Sequence, residues 1–480
     1  MSTTCIRNAS WIVAWDAARA AHTYLRDGDI AFSDGAIDFV GRSYAGPADS
    51  EIDGRDLVIL PGFVNLHSHP ALEPIYKGIR EEHGVPEMYM TGLYERMNAF
   101  IPDREGMLAA AEVAYAELLR SGVTTLVDLM FPFEGWLELF ERSGLRGYAG
   151  AWYSAAQWKL ETRHELKFTW DEAAGRRDFK RAIDTIEGLE KDDPGGRMRG
   201  ILCGGTVETL TEELVRDSLA YAEETGTPFT THASQSVFEF LEMVRRHGTS
   251  PIQWAESVGM LGPRTTLGHG LVIDEHSWVH WHSKRDLEIL AATGTSVAHC
   301  PTPFSRYGQV MEDLGRYMRT GVNMGMGTDT FPHNMLEEMR TAAVFARIAA
   351  EDITTLGIGQ VFTAATVGGA TALGRDDLGR LQAGAKADIV VVDGSHIDMR
   401  PLRDPLRSLI FSAADRAVRD VYVDGILAVE NGRVLNLDPD GAADRLGAAQ
   451  KRMEEACPEH DYEKRSALEV VPLSLPPADA

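Results

Sequence analysis

Eight apolar runs of β type, each separated from the next by a segment of helical pattern, constrain the fold of this chain most strongly. They lie between Leu60 and about Leu373: PGFVNLHSH, GVTTLVDLM, LRGYAGAWY, RGILCGG, PFTTHAS, TTLGHGL, TSVAHC and GVNMGMGTD. Helical stretches such as REGMLAAAEVAYAELLRSG and TEELVRDSLAYAEETG begin with acids and end in glycine, as helix caps require. Eight strand-then-helix units predict an α/β fold, a closed parallel (β/α)8 barrel whose chemistry lies at the carboxyl ends of its strands.

The two ends of the chain share a different pattern. Residues 5–59 contain short strand-like runs broken by Asp-Gly pairs, which favour hairpin turns, and AKADIVVVDG and RDVYVDGILAVENGRVL repeat this style late in the sequence. We therefore expect the ends to pair in one small β-sandwich. The predicted organisation is a sandwich from residues 1–60 and 375–435, a barrel over 61–374, and a peripheral C-terminal helix and tail over 436–480.

Charge and cysteine content limit the partners. The net charge of -25, from 72 acidic and 47 basic residues, disfavours nucleic acid and anionic membranes, because both are bound through clustered Lys and Arg. Four scattered cysteines without a CxxC pair indicate a reducing cytoplasm, and we find no targeting signal or membrane-spanning run. We expect a cytoplasmic homo-oligomer that acts on a small neutral molecule.

Histidines mark the ends of the predicted barrel strands. His67 and His69 are one residue apart, so a strand points both side chains toward the same face, here the barrel interior. An HxH pair alone is weak evidence in a chain with 15 histidines. The later strands strengthen it, since the fifth to eighth runs end in His232, His269, His299 and Asp329.

This set predicts a metal centre. Neutral imidazoles with one carboxylate suit zinc and other borderline divalent ions, and a catalytic site leaves one position for water. We predict His67, His69, His232 and Asp329 as ligands of a divalent ion, zinc in the first place, with Co, Fe or Mn as alternatives. The competing interpretation is that these side chains only fill the barrel.

In their order, the motifs PGFVNLHSHP, THAS, LGHG, VAHCP and GTDT resemble those of the amidohydrolase superfamily, and AGAKADIVVVD resembles its C-terminal sandwich motif. The resemblance covers the chain apart from about the last forty residues. It implies a distorted (β/α)8 TIM barrel that activates a water for attack on a polarised carbon.

The resemblance also implies roles within the site. Two-metal members carry a bridging lysine on the fourth strand, but RGILCGGTVET has none, so we predict a mononuclear centre. By resemblance to mononuclear members, His269 polarises the substrate with or without binding the metal. Asp329 is predicted to accept the proton of the water and pass it to the leaving group. His299 either orients the substrate or supports the site from behind.

One position departs from the superfamily pattern. Its deaminases and triazine hydrolases usually have a glutamate three residues after the fifth-strand histidine, where this chain has Gln235, and an amide can hydrogen-bond but cannot shuttle protons. Glu239, one turn later, is a possible substitute, although we expect it to be an ordinary solvated helix residue. The departure disfavours ring protonation and favours ureas, carbamates, thiocarbamates and amides.

Several residues are candidates for substrate binding. Gln235, His299, Arg306, Tyr307 and Trp152 are predicted to contact the substrate, with Arg306 alternatively anchoring its loop. Further aromatic candidates for an apolar wall are Tyr89, Tyr94, Trp158 and Phe304.

The predicted function is therefore metal-dependent hydrolysis of a non-peptide C-N (or C-S) bond in a small urea, carbamate, thiocarbamate or amide. NLHSHP with EPIYKG, MYMTGLYERM and FSRYG is most similar to phenylurea hydrolases and molinate hydrolase. Two alternatives stay open. One is an aminohydrolase of a cyclic amidine or aminoheterocycle, and the other is a catalytically inactive metal-binding homologue.

Overall fold

The structure is a computed structural model that describes residues 2–79, 91–162 and 165–478. Its strands are β1 (Thr4–Asp16), β2 (Ala21–Ser33), β3 (Ala36–Gly41), β4 (Ser50–Asp53), β5 (Leu57–Pro61), β6 (Phe63–Ser68), β7 (Val123–Met130), β8 (Arg146–Tyr153), β9 (Ala156–Thr162), β10 (Glu165–Trp170), β11 (Met198–Gly200), β12 (Leu202–Thr206), β13 (Phe229–Ala233), β14 (Thr265–His269), β15 (Ser296–His299), β16 (Asn323–Met326), β17 (Ile389–Asp393), β18 (Val418–Val423), β19 (Ile426–Glu430) and β20 (Arg433–Val434).

The α-helices are α1 (Thr91–Ala99), α2 (Arg104–Arg120), α3 (Trp136–Ser143), α4 (Glu172–Asp192), α5 (Glu212–Thr225), α6 (Val237–His247), α7 (Pro251–Ser257), α8 (Asp286–Thr293), α9 (Pro301–Arg306), α10 (Leu314–Thr320), α11 (Met335–Ala349), α12 (Ile358–Thr363), α13 (Gly369–Ala372), α14 (Pro405–Ser408), α15 (Pro439–His460) and α16 (Ala467–Val470). None of the helices in the described residues is both long enough and apolar enough to cross a bilayer.

Eight parallel strands close into a barrel in the order β6, β7, β8, β12, β13, β14, β15, β16 and back to β6. All eight correspond to the predicted apolar runs, so the predicted (β/α)8 barrel is confirmed. Strands β7, β12 and β13 are buried along their whole length, as expected where helices cover one face and the barrel interior the other. The pairing that closes the barrel is the shortest. Strand β16 pairs with β6 only at Met326 and Asn65, and an isolated bridge joins Asp329 to Ser68.

Strands from both chain ends form one nine-stranded sheet among the described residues, in the order β20, β19, β18, β17, β5, β1, β2, β3, with β4 beside β1. The predicted pairing of the two ends occurs between β17 and β5, which run antiparallel from Ile389 and Pro61 to Asp393 and Leu57. Gly62 alone separates β5 from the first barrel strand, so this sheet continues directly into the barrel.

A buried ion pair connects the barrel to this sheet. Arg146, the first residue of β8, is 2% exposed and donates to both carboxylate oxygens of Asp388 at 3.0 and 3.1 Å and to Asp424 at 2.9 Å. Burial acts against the charge of the guanidinium, but the two carboxylates outweigh it and raise the pKa of Arg146 above its ordinary value. The three charges therefore depend on one another, because an unpaired charge at this depth is strongly disfavoured.

We expect Arg146→Met to lower the free energy of unfolding by about 3–5 kcal/mol, because it leaves the buried Asp388 carboxylate without its partner. Equilibrium unfolding in urea measures the change. The matched control is Arg176→Met, which removes an exposed helix pair with Glu172 and should cost no more than about 0.5 kcal/mol. Equal effects of the two substitutions would contradict the structural role of Arg146.

The C-terminal helix α15 is not peripheral, and that expectation was wrong. Its Leu446, Ala449 and Met453 are buried in one cluster with Ile75 near β6 and Ala110 of α2. Arg445 also donates to Glu112 of α2 at 2.8 Å. The helix therefore covers α2 and supports the segment that follows the first barrel strand.

The hairpin β9–β10 follows the third barrel strand and was not predicted. Its first strand brings Trp158 against Tyr94 of α1, with ring centroids 5.1 Å apart. Leu160 and Leu166 lie in the same apolar cluster as Tyr94. The hairpin and α1 together therefore build a wall above the carboxyl ends of the barrel strands.

Candidate metal centre and cavity

Five residues at or just beyond the carboxyl ends of barrel strands converge at one edge of the barrel: His67, His69, His232, His269 and Asp329. The ring centroid of His67 lies 5.1 Å from that of His69, 4.5 Å from His232 and 4.7 Å from His269. The backbone fixes the carboxylate beside them, because Asp329 N donates to His67 O at 2.8 Å and His69 N donates to Asp329 O at 3.1 Å. The convergence that the sequence predicted is present.

Backbone carbonyls set the tautomers of two of these histidines. His69 Nδ1 lies 2.9 Å from the carbonyl of Leu129, and His232 Nδ1 lies 2.8 Å from that of Gly205. A carbonyl oxygen only accepts, so each Nδ1 carries the proton and each Nε2 presents a lone pair inward. This carbonyl bond to the outer ring nitrogen is typical of metal-binding histidines.

The inward atoms have the spacing of ligands to a common ion. His69 Nε2 lies 3.1 Å from His232 Nε2, and Asp329 Oδ1 lies 3.4 Å from His69 Nε2 and 3.5 Å from His67 Nε2. Ligand atoms about 2.1 Å from a tetrahedral zinc lie about 3.4 Å apart. Two facing lone pairs at 3.1 Å repel unless a cation lies between them, so the donor set fits a divalent ion.

Further observations support this fit. Both ring nitrogens of the fully buried His67, and Nδ1 of His269, have no hydrogen-bond partner among the described residues. Burial lowers the pKa of His67, His232 and His269, which keeps these imidazoles neutral and able to bind a metal. The imidazole of His67 packs directly against Gly268, where a Cβ atom would lie 2.7 Å from Cε1 of His67, so a larger residue would displace this ring.

The four predicted ligands fall into two overlapping groups, and neither group contains all four. His67, His69 and Asp329 form one group, and His67, His232 and His269 form a second, each with its ligand atoms within 4.8 Å of one another. His269 is therefore placed either to join the ligands or to face the substrate. Its role stays a prediction, as does the mononuclear state, although no lysine is found among the cavity residues of the described chain.

A cavity of about 300 Å³ opens onto this cluster. His69, His232, His269 and Asp329 form part of its floor. Its apolar wall includes Leu72, Leu93, Met97, Phe131, Trp152, Trp158 and Phe304. The volume and the apolar wall suit a small organic molecule with one reactive polar group near the histidines.

Three of the five predicted substrate-binding residues line the cavity: Gln235, Tyr307 and Trp152. His299 is 3% exposed behind this surface, and burial lowers its pKa to about 3. Arg306 donates to the Phe331 carbonyl and to Thr330 Oγ1, both at 2.7 Å, which are the contacts of a loop anchor. Neither His299 nor Arg306 is among the residues that line the cavity.

Only some of the other aromatic candidates line the cavity. Trp158 and Phe304 line the cavity, whereas Tyr94 is buried behind it in the α1 and hairpin cluster. Tyr89 lies outside the described residues.

Gln235 follows β13 on a loop that a buried carboxylate holds in place. Glu239 accepts from the backbone N-H groups of Ser234 at 2.6 Å and Gln235 at 2.9 Å, while Ser234 adopts a φ of 55°. Glu239 is 0% exposed, so the expectation of a solvated helix residue was wrong. Its carboxylate fixes the loop and does not line the cavity, which excludes it as a direct substitute for the missing glutamate.

A buried ion pair in the cavity wall was not predicted from the sequence. Arg96 of α1 donates to both carboxylate oxygens of Glu73 at 3.1 Å, and both side chains line the cavity. The two residues are 23 positions apart, and no periodicity or motif indicates that they meet.

An amidohydrolase family profile and two named deaminases match this chain over most of its length. The amidohydrolase family profile matches residues 58–428. A 5'-deoxyadenosine deaminase from Methanosarcina mazei is 28% identical over 444 residues, 90% of this chain and 94% of the relative. A 5-methylthioadenosine/S-adenosylhomocysteine deaminase from Haloarcula marismortui is 28% identical over 401 residues, 83% of this chain and 87% of the relative.

Solved structures share the fold. An adenosine deaminase from Xanthomonas campestris with bound zinc superposes with a TM-score of 0.79 at 23% identity, covering 95% of this chain and 99% of the other. Atrazine chlorohydrolase from Arthrobacter aurescens complexed with zinc gives a TM-score of 0.78 at 23% identity, covering 93% and 100%. The family profile spans more than three quarters of the sequence, and the chain belongs to the amidohydrolase family of metal-dependent hydrolases that act on C-N bonds.

Proposed function

We propose that the protein hydrolyses a C-N (or C-S) bond of a small, neutral urea, carbamate, thiocarbamate or amide. One observation carries this choice within the family: Gln235, an amide, lines the cavity at the sequence position where the resemblance implies a glutamate in deaminases and triazine hydrolases. The resemblance of several motifs to phenylurea and molinate hydrolases agrees with the choice.

The proposed centre uses His67, His69, His232 and Asp329 to hold one divalent ion, with zinc first, as in the zinc-bound structural neighbours. Such an ion supplies water that is nucleophilic at neutral pH and a positive charge that polarises a carbonyl. In this proposal Asp329, which is 8% exposed and lines the cavity, accepts the proton of the attacking water and returns it to the departing amine. His269 lines the same cavity and is proposed to hold the substrate carbonyl.

The carboxylates of the cavity wall favour a substrate that already has a carbonyl group. In the described part of the chain, Glu73 and Asp329 are the carboxylates that line the cavity. Glu73 is paired with Arg96, and Asp329 belongs to the metal cluster. No further carboxylic acid is left there to protonate a ring nitrogen, whereas a urea or carbamate already presents a carbonyl for attack.

A second candidate function is the deamination of an aminoheterocycle. The curated relatives are named as deaminases of adenosine-type nucleosides, and Trp152 and Phe131 offer aromatic faces, 5.4 Å apart between ring centroids, for a flat ring. This candidate requires a proton donor other than Gln235.

The test compares two products from the purified, metal-loaded protein. Aryl dimethylureas and N-aryl amides are scored by release of the aniline, and adenosine-type nucleosides and aminopyrimidines by release of ammonia. We expect aniline release. Ammonia release without urea or amide cleavage would replace the proposed function by the second candidate, and the absence of both activities would favour a metal-binding protein without catalysis.

A further inference from the structure

Arg96 and Glu73 form a charge-compensated polar group in an otherwise largely apolar wall. The side chains of Arg96 and Glu73 are 3% and 6% exposed, and the guanidinium also lies over the ring of Tyr76, 4.1 Å from its centroid. Leu93 and Met97 flank Arg96 along the same cavity face of α1. The pair therefore reaches the substrate space without adding net charge to it.

The guanidinium of Arg96 has donor capacity that the protein does not use. An arginine offers five N-H groups. Nη1 is bonded to Glu73, but Nε is buried and has no hydrogen-bond partner among the described residues. A buried donor without a partner is costly, and a ligand acceptor that reaches it removes this cost.

We propose that Arg96 is a specificity-determining residue that donates a hydrogen bond to an uncharged acceptor of the substrate, such as a carbonyl, ether or ring nitrogen outside the reacting group. This inference rests on the proposed function, since it assigns the distal half of the same substrate. Glu73 sets the charge preference. Its carboxylate neutralises Arg96 and repels an anionic substituent, so a neutral acceptor is preferred to a carboxylate.

The experiment uses three N-aryl-N′,N′-dimethylureas that differ only in one ring substituent: acetyl, its apolar isostere isopropyl, and carboxylate, each tried at the ortho, meta and para positions. For ureas that the metal-loaded protein hydrolyses, the preference is measured as the ratio of their kcat/KM values, and for ureas that are not turned over, calorimetric titration gives Kd. At the position that meets Arg96, we expect acetyl to bind about 10- to 100-fold more tightly than isopropyl, the range for a hydrogen bond to a charged group. The carboxylate should bind more weakly than acetyl.

The decisive variant is Arg96→Met with Glu73→Gln, which removes the donor without leaving a buried charge. It should lose the preference for acetyl and bind the isopropyl ligand as the wild type does. The matched control, Arg176→Met with Glu172→Gln, removes an exposed pair and should keep the preference. A change in folding alone would weaken acetyl and isopropyl ligands equally.

The outcomes separate the two proposals. An acetyl preference that survives in the double variant Arg96→Met with Glu73→Gln, or no acetyl preference in the wild type, overturns the role of Arg96. Tighter binding of the carboxylate overturns the requirement for an uncharged acceptor. Binding with the expected preference but without aniline release overturns the proposed function and supports Arg96 as a ligand-binding residue, whereas no binding by any urea overturns both.

Discussion

Asp329→Asn is expected to lower kcat by about 10²- to 10⁴-fold, the contribution of a positioned general base. The substitution keeps the size of the side chain and its backbone bonds to His67 and His69, but it removes the atom that accepts a proton. Steady-state kinetics with the best urea or carbamate measures the loss. Metal content is measured on the same sample, so that loss of the ion is distinguished from loss of the base.

The matched control is Asp128→Asn, a second buried carboxylate at the carboxyl end of a barrel strand. Asp128 accepts from Tyr115 Oη at 2.5 Å and Trp136 Nε1 at 3.0 Å and does not line the cavity. We expect this variant to lose stability without a comparable loss of kcat. Full activity of metal-loaded Asp329→Asn would remove Asp329 from the proposed chemistry.

Gln235→Glu is expected to shift the reaction toward deamination. The new carboxylic acid would lie at the edge of the cavity in place of a side chain that is 3% exposed, and burial of this degree favours the protonated form of a carboxylic acid. A proton donor at this position should raise ammonia release from aminoheterocycles by about 10²-fold or more. Turnover of both substrate classes, measured side by side, gives the change in preference.

Gln235→Met is the control for this substitution, because it retains the length of the side chain and removes its polar atoms. The loop should hold in both variants, since Glu239 bonds to the backbone of Ser234 and Gln235 and not to the side chain. Equal ammonia release by Gln235→Glu and Gln235→Met would show that the missing acid does not decide the reaction class.

The barrel was predictable because its strands are buried on both faces and rich in apolar residues. A run such as GVTTLVDLM is buried from Val123 to Met130 and therefore stands out from the helices around it. The hairpin β9–β10 was missed although AQWKLET alternates apolar and polar residues, which is the pattern of a half-buried strand. Its two strands pair only with each other and lie outside the repeat of strand and helix that identified the barrel.

The position of the C-terminal helix was predictable in principle. One face of α15 carries apolar residues at helical spacing: Ala442, Leu446, Ala449 and Met453. This face is buried against α2 and Ile75. The sequence contained the signal for a packed helix, although it did not indicate that α2 is the partner.

Some residues of the candidate site were predictable from the sequence, and others were not. The histidines and Asp329 were predictable because parallel strands bring their carboxyl ends to one edge, so the position on a strand determines the position in space. The contact of Arg96 with Glu73 and the burial of Glu239 depend on how loops return to the barrel. Helix α1 and the bend after β13 set those contacts, and no local pattern specifies them.

The central claim is that the strand-end histidines and Asp329 hold a divalent ion on which hydrolysis depends. Its most direct test is a metal titration of chelator-treated protein, with turnover measured at each addition and circular dichroism used to verify that the fold is intact. We predict no turnover without metal and full recovery at one equivalent of a divalent ion. Undiminished turnover by the folded, metal-free protein would contradict the claim.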